Sequence, residues 1–336
     1  MSLNTLEEIA SYIVSDGKGI LAADESNPTC TKRFDTIGVE STEESRRDYR
    51  EMLFRSGGIQ GNIGGVILFD ETIRQNAKDG TSLVDLMNSQ GALPGIKVDK
   101  GLQPIGDSDE TVTVGLDGLD ERLKEYSLLG AKFTKWRAVI KIGNNLPTDN
   151  CIDANMKALA DYAKVVQDNG MVPMVEPEVL MEGDHSIEEC FTATERSLSS
   201  LFHHLKENGV NIKGTILKPN MVTSGSTCRN QASINEVAEQ TLECLKANVP
   251  SELPAITFLS GGQSELLATA HLDAMNKIGG FDWKLSFSFG RALQAPTLKA
   301  WMGKPENVFI AQDALSHRAK MNQLAALGQW DKGLED

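Results

Sequence analysis

The sequence predicts an α/β fold, a single-domain (β/α)8 TIM barrel with extra peripheral helices, and three observations carry that expectation. Eight short apolar, β-rich runs alternate with amphipathic helical stretches, which is the pattern of a parallel sheet with helical crossovers. The carboxyl ends of these runs repeatedly bear charged residues or glycine, as the working face of such a barrel does. No low-complexity run, Pro-rich linker or repeat divides the 336 residues, and barrels of this kind commonly exceed about 200 residues as one unit.

Taken in order, the first run is Gly19 to Asp24, followed by polar sequence in which Ser41 and Glu44 have the S-x-x-E spacing of a helix-starting capping box. Gly65 to Phe69 and Gly95 to Lys100 come next, then Phe133 to Ile140. From Ile152 to Asn169, Met156, Leu159, Ala160, Ala163 and Val166 recur at helical spacing and Gly170 supplies a stop, which makes Met156 a core residue. Val172 to Val179 is the fifth run and Ile212 to Lys218 the sixth, closed by Pro219, which has no N–H to continue a ladder. Ser233 and Glu236 give a second capping box, and Ala255 to Ser260 and Leu285 to Phe289 complete the set. A helix from Pro305 to Leu327 lies beyond the eighth strand, so that 304–336 reads as a C-terminal helical extension of one domain covering 1–336.

Composition narrows the function classes. A chain with 40% hydrophobic and 24% charged residues can bury a large core. Its net charge of −14 argues against nucleic acid as a partner, because phosphate binding needs a basic footprint. The five cysteines Cys30, Cys151, Cys190, Cys228 and Cys244 are odd in number and form no C-x-x-C pair, so neither a disulfide framework nor a zinc site is expected. No apolar stretch reaches the ~18 residues of a membrane span. These features fit a cytoplasmic protein, with a plastid location left open if a transit peptide has been removed.

The chemistry sits at the strand ends. Lys218 closes an apolar strand, where lost hydration favours a neutral, nucleophilic amine; taken alone, a strand-end lysine is more often a solvated charge or an ion-pair partner, and its neighbours have to decide. Other ends carry Asp24-Glu25-Ser26, Lys100, Lys135-Trp136-Arg137 and Glu176-Pro177-Glu178. Neighbouring lysines would oppose protonation of Lys218. Glu176 and Glu178, two apart on a strand, share a face and suit acid-base work beside a lysine. Asp24, across the mouth, is placed to take a proton from a substrate hydroxyl. Ser260-Gly261-Gly262 and Ser288-Phe289-Gly290-Arg291 offer free N–H groups, small residues and an arginine at helix starts, where barrels often hold phosphate. A second anion site opposite would use Ser26, Thr29, Arg33 and Lys100. Two anion cradles flanking an amine describe a bisphosphorylated sugar held across the mouth.

These motifs closely resemble class I fructose-1,6-bisphosphate aldolase, from about Gly17 to about Gly328. The resemblance rests on G-K-G-I-L-A-A-D-E-S (17 to 26), G-I-K-V-D-K-G (95 to 101), K-W-R (135 to 137), V-E-P-E (175 to 178), G-T-I-L-K-P-N-M-V (214 to 222), F-L-S-G-G-Q-S-E (258 to 265) and S-F-G-R-A-L-Q (288 to 294). It implies a metal-free, cofactor-free lyase, usually a homotetramer, that reversibly cleaves its substrate to dihydroxyacetone phosphate and glyceraldehyde 3-phosphate. By matching position it implies Lys218 as the Schiff-base lysine, Glu176 as the acid-base for carbinolamine dehydration and Asp24 as the base at the C4 hydroxyl, with Lys135 and Glu178 tuning the charge. Ser260, Gly261, Gly262, Ser288, Gly290 and Arg291 fall on the C1-phosphate side; Ser26, Arg33 and Lys100 fall on the C6-phosphate side, with Arg137 nearby.

Two departures stand out. Thr29 replaces a serine of animal members and keeps the hydroxyl. The mobile tail of animal members, ending in tyrosine and linked to proton exchange at the enamine carbon, has no counterpart before Asp336, and the last tyrosine is Tyr162. The C3 proton is therefore expected to be moved by another group, or slowly.

Competing readings are weaker. A zinc-dependent aldolase would need clustered histidines, whereas His185, His203, His204, His271 and His317 are scattered. A transaldolase would not call for two phosphate cradles. A non-catalytic phosphosugar-binding or scaffolding protein on the same barrel would be marked by loss of Lys218, Glu176 or Asp24, and all are present.

Overall fold

Apolar runs that alternate in side-chain direction must bury both faces, and a parallel sheet closed on itself achieves this with side chains inside and helices outside. In the computed structural model, which describes residues 3–335, β1 (Gly19–Ala23), β2 (Ile63–Leu68) and β3 (Leu93–Lys97) lead into a small hairpin of β4 (Leu102–Pro104) and β5 (Thr111–Thr113). Then come β6 (Phe133–Ile140), β7 (Val172–Val179), β8 (Ile216–Leu217), β9 (Ala255–Phe258) and β10 (Lys284–Phe289). The barrel closes in the order β1-β10-β9-β8-β7-β6-β3-β2, every pairing parallel.

The helices are α1 (Leu6–Ile13), α2 (Asn27–Asp35), α3 (Glu43–Phe54), α4 (Asp70–Ile73), α5 (Leu83–Ser89) and α6 (Leu119–Leu128). After them come α7 (Asp149–Asp168), α8 (Ile187–Glu207), α9 (Ile234–Asn248), α10 (Glu265–Ile278), α11 (Arg291–Trp301) and α12 (Val308–Ala326). Met156 is fully buried in α7, and α12 packs on α10 and α11 outside the barrel. The Ser233–Glu236 capping box is formed at the start of α9.

The two-residue period decides what faces where. Along β6, Phe133 joins the interior cluster while Trp136 points outward and stacks on Tyr162 of α7 with ring centroids 5.3 Å apart. Along β7, Val172 and Met174 are interior and apolar, and the same parity then brings Glu176 and Glu178 inward near the mouth. Ile9, Ala10, Ile13 and Val14 of α1 and its C-cap complete this interior layer. The barrel interior is thus apolar at one end and charged at the other. Gly95 clears the space for Phe133, since a Cβ there would lie 2.3 Å from the ring.

Three sequence expectations need correction. The box before α3 is Thr42 with Ser45, not Ser41 with Glu44: Thr42 Oγ1 accepts from the Ser45 N–H at 3.1 Å, and Ser41 Oγ instead accepts from Arg46. The sixth run is a strand only over Ile216–Leu217, because Ile212–Gly214 is a 3-10 turn capped by Asn211 and Pro219 ends the ladder. The third strand stops at Lys97, and the chain turns through Gly101, at φ +93°, into the hairpin.

Candidate active site

At the carboxyl ends of the strands lies a cleft of about 310 Å³. Each wall follows from strand parity. From β6 come Lys135 and Arg137, from β7 Glu176 and Glu178, from the end of β8 Lys218, and from just beyond β1 Asp24. Lys135 Nζ lies 3.0 Å from Asp24 Oδ2 and 3.0 Å from Glu176 Oε2, while Lys218 Nζ lies 3.0 Å from Glu176 Oε1. One buried carboxylate therefore bridges two amines. Arg137 Nε pairs with Glu178 at the outer edge.

Burial alone would raise the pKa of Asp24 and Glu176, but Lys135 and Lys218 outweigh it and hold both well below the usual carboxylate range. Burial likewise opposes protonation of Lys135, yet Asp24, Glu176 and Asp99 overcome it and raise its pKa. Lys135 is thus a permanent cation. The expected crowding of bare lysines is not what the site shows, since each amine in the cleft has a carboxylate beside it.

Two helix starts flank this centre, and neither has a side-chain cap hydrogen bond. At α11, Gly290 is the N-cap, Gly261 holds φ +56° on the adjoining turn, and Arg291 Nη2 donates to the Gly261 carbonyl. Ser288 Oγ is buried there without a protein partner, and Ser260 is buried beside it. At α2, Ser26 is the N-cap, its hydroxyl 3.1 Å from that of Thr29, with Arg33 one turn on. First-turn N–H groups left free in this way suit an anion.

Lys218, Glu176, Asp24, Lys135, Glu178, Ser26, Arg33, Arg137, Ser260, Gly261, Ser288, Gly290 and Arg291 all line the cleft. Lys100 and Gly262 do not. Lys100 is exposed where its backbone joins the hairpin, and Gly262 is exposed at the third position of the Ser260–Gln263 turn. Lys97 takes the place expected of Lys100, with its Nζ 3.0 Å from Asp99 Oδ1. Parity could have found it, because Lys97 is two residues from the inward Gly95 whereas Lys100 is five. Sequence reasoning also gave no role to Glu25, which lines the cleft and accepts from Arg50 at 2.9 Å and from Gln294 at 2.9 Å. Among the described residues no group of three His, Cys, Asp or Glu side chains is disposed to hold a metal.

Fold and site together define a (β/α)8-barrel enzyme whose mouth is built for an anionic small molecule. The family model described as fructose-bisphosphate aldolase class-I matches residues 5–336. A Xanthomonas axonopodis protein named "Probable fructose-bisphosphate aldolase class 1" is 54% identical over 98% of this chain and 99% of its own length. "Fructose-bisphosphate aldolase 4, cytosolic" of Arabidopsis thaliana is 51% identical over 95% of this chain and 82% of its own. Among solved structures, fructose-bisphosphate aldolase from Plasmodium falciparum, in complex with TRAP and a small-molecule inhibitor, superposes with a TM-score of 0.96 at 47% identity, covering 98% of this chain and 95% of that one. The chain belongs to the class-I fructose-bisphosphate aldolase family.

Proposed function

We propose that the cleft cleaves fructose 1,6-bisphosphate through a Schiff base on Lys218, and that the residues above divide the work as follows. The carrying observation is the single buried carboxylate of Glu176 held between Lys218 and Lys135 at 3.0 Å on each side. The Lys218 amine adds to the C2 carbonyl, and Glu176, the nearest carboxylate, passes the protons needed to expel water from the carbinolamine. Asp24, ionised and across the mouth, takes the proton of the C4 hydroxyl. The C3–C4 electrons then move into the iminium, glyceraldehyde 3-phosphate leaves, and an enamine remains on Lys218. Protonation at C3 and hydrolysis release dihydroxyacetone phosphate and restore the amine. Lys135 keeps Asp24 and Glu176 charged, and the Arg137–Glu178 pair closes the outer edge of the charge set.

Ser260, Gly261, Ser288, Gly290 and Arg291 form the C1-phosphate cradle in this reading, supported by the unpartnered Ser288 hydroxyl and the uncapped start of α11. Ser26, Thr29, Arg33 and Lys97 form the C6-phosphate side, Lys97 replacing Lys100. Class I chemistry works through the lysine adduct without a metal. The resemblance to the family supports a homotetramer, and the cytosolic relative supports a cytoplasmic location; among the described residues no helix is long and apolar enough to cross a membrane.

Borohydride trapping with dihydroxyacetone phosphate, in excess EDTA, followed by peptide mass mapping tests the assignment. An adduct on Lys218 and at least about a 10³-fold loss of kcat in a folded Lys218→Ala variant are expected. Trapping on another lysine, or retained turnover, would end this reading.

A further inference from the structure

His271 lies on α10, a full two turns from the cleft residues of the preceding loop, and only 2% of it is exposed. Its Nδ1 lies 2.6 Å from Gln263 Oε1. The amide nitrogen of Gln263 meets Met221 Sδ at 3.6 Å. A thioether sulfur can only accept, so the Gln263 amide must point its nitrogen at Met221 and its oxygen at the imidazole. His271 is thereby fixed as the Nδ1–H tautomer, donating to Gln263. Its Nε2 is buried with no partner. An apolar side chain would fill that space without stranding an acceptor, so packing alone does not account for a histidine here.

Gln263 closes the turn that begins at Ser260, its N–H donating to the Ser260 carbonyl at 3.1 Å. Met221 stands three residues beyond Lys218, and the Leu259 N–H donates to the Pro219 carbonyl at 3.1 Å. The chain His271–Gln263–Met221 therefore fastens the loop after β9 to the loop that follows Lys218, and the Arg291 bond to Gly261 fastens the same loop to the start of α11.

We propose that His271 is a positioning residue for the C1-phosphate cradle, setting the Ser260–Gly261 turn through Gln263 and holding it in register with Lys218. The proposal rests on the cradle assignment made above. It separates geometry from chemistry: the donor at Nδ1 matters for how the phosphate is received, and the amine of Lys218 remains intact without it.

The test is steady-state cleavage of fructose 1-phosphate, which has a phosphate only at C1, by His271→Leu, His271→Asn, Gln263→Met and Ser288→Ala enzymes. His271→Leu and Gln263→Met should each raise KM roughly tenfold with kcat within about twofold, as a misplaced binding group does. His271→Asn, whose amide nitrogen can occupy the place of Nδ1, should bring KM back to within about twofold of the parent. Nitrogen-15 NMR of the parent should show the Nδ1–H tautomer at neutral pH, lost as a defined species in Gln263→Met. Should His271→Leu not fold, Gln263→Met, changed on a loop, makes the same test. An unchanged KM in the folded Leu and Met variants, failure of Asn to restore it, or an Nε2–H tautomer overturns the proposal. Ser288→Ala separates the two readings, because an unchanged KM in that variant removes the cradle itself, whereas a raised KM there with a normal His271→Leu removes only the positioning role.

Discussion

At the level of single residues, the site is governed by who neutralises whom. Asp24 is held ionised by Lys135 and Lys218 against the effect of burial, so it rests as a carboxylate, the form that can accept a proton. Asp24→Asn removes the acceptor but keeps the size and much of the hydrogen bonding, and should lower kcat by about 10² to 10⁴ while KM changes by less than about fivefold. Stopped-flow and steady-state assays of the cleavage direction would read this, and a kcat within tenfold of the parent would remove Asp24 from the proton path. Most of these residues were legible in the sequence because charge at the end of an apolar run is unusual and had to converge if the runs closed into a barrel. Lys100 was misread for a physical reason: it is the more conspicuous lysine of G-I-K-V-D-K-G, but strand parity aims Lys97 and Asp99 inward and turns Lys100 to solvent. Glu25 escaped notice because its role depends on Arg50 and Gln294, which lie 25 and 269 residues away in the chain.

At the level of elements, strands long enough to show their period were readable and short ones were not. Phe133–Ile140 and Val172–Val179 appear with the bounds expected. β8 shrinks to two residues since Asn211 and Pro219 compete with the ladder on both sides, and the β4–β5 hairpin, three residues per strand, left no periodic trace. The closing of the barrel floor by α1 was equally invisible, because an amphipathic helix does not say which surface it covers. Helix starts show how one residue of register matters. The capping box of α3 belongs to Thr42 and Ser45, so Thr42→Ala should cost about 1 kcal/mol in urea unfolding, whereas Ser41→Ala, which loses only a 3.3 Å contact from Arg46, should cost a few tenths. Equal losses from the two substitutions would place the cap wrongly.

For the whole molecule, acid should be the weak direction, and the sequence of losses can be worked out from which groups are buried in which form. His271 is held neutral by burial, its pKa pushed down to about 4. In the unfolded chain it titrates near 6.5. The folded protein therefore binds fewer protons than the unfolded one between these values, so the stability that neutral His271 contributes is complete above about pH 6.5 and is lost as pH falls toward 4. The shift corresponds to at most about 3 kcal/mol. Asp24 and Glu176, also depressed, act later: they favour the fold above the ordinary carboxylate range near pH 4 and lose that contribution below it. His185, depressed by burial as well, is common to parent and variant and sets a shared slope. Urea midpoints measured in half-unit steps from pH 7.5 to 4 should fall more steeply for the parent than for His271→Leu, because the variant has no imidazole to charge. Curves that stay parallel over that interval would mean that His271 is not the group through which the fold first feels acid.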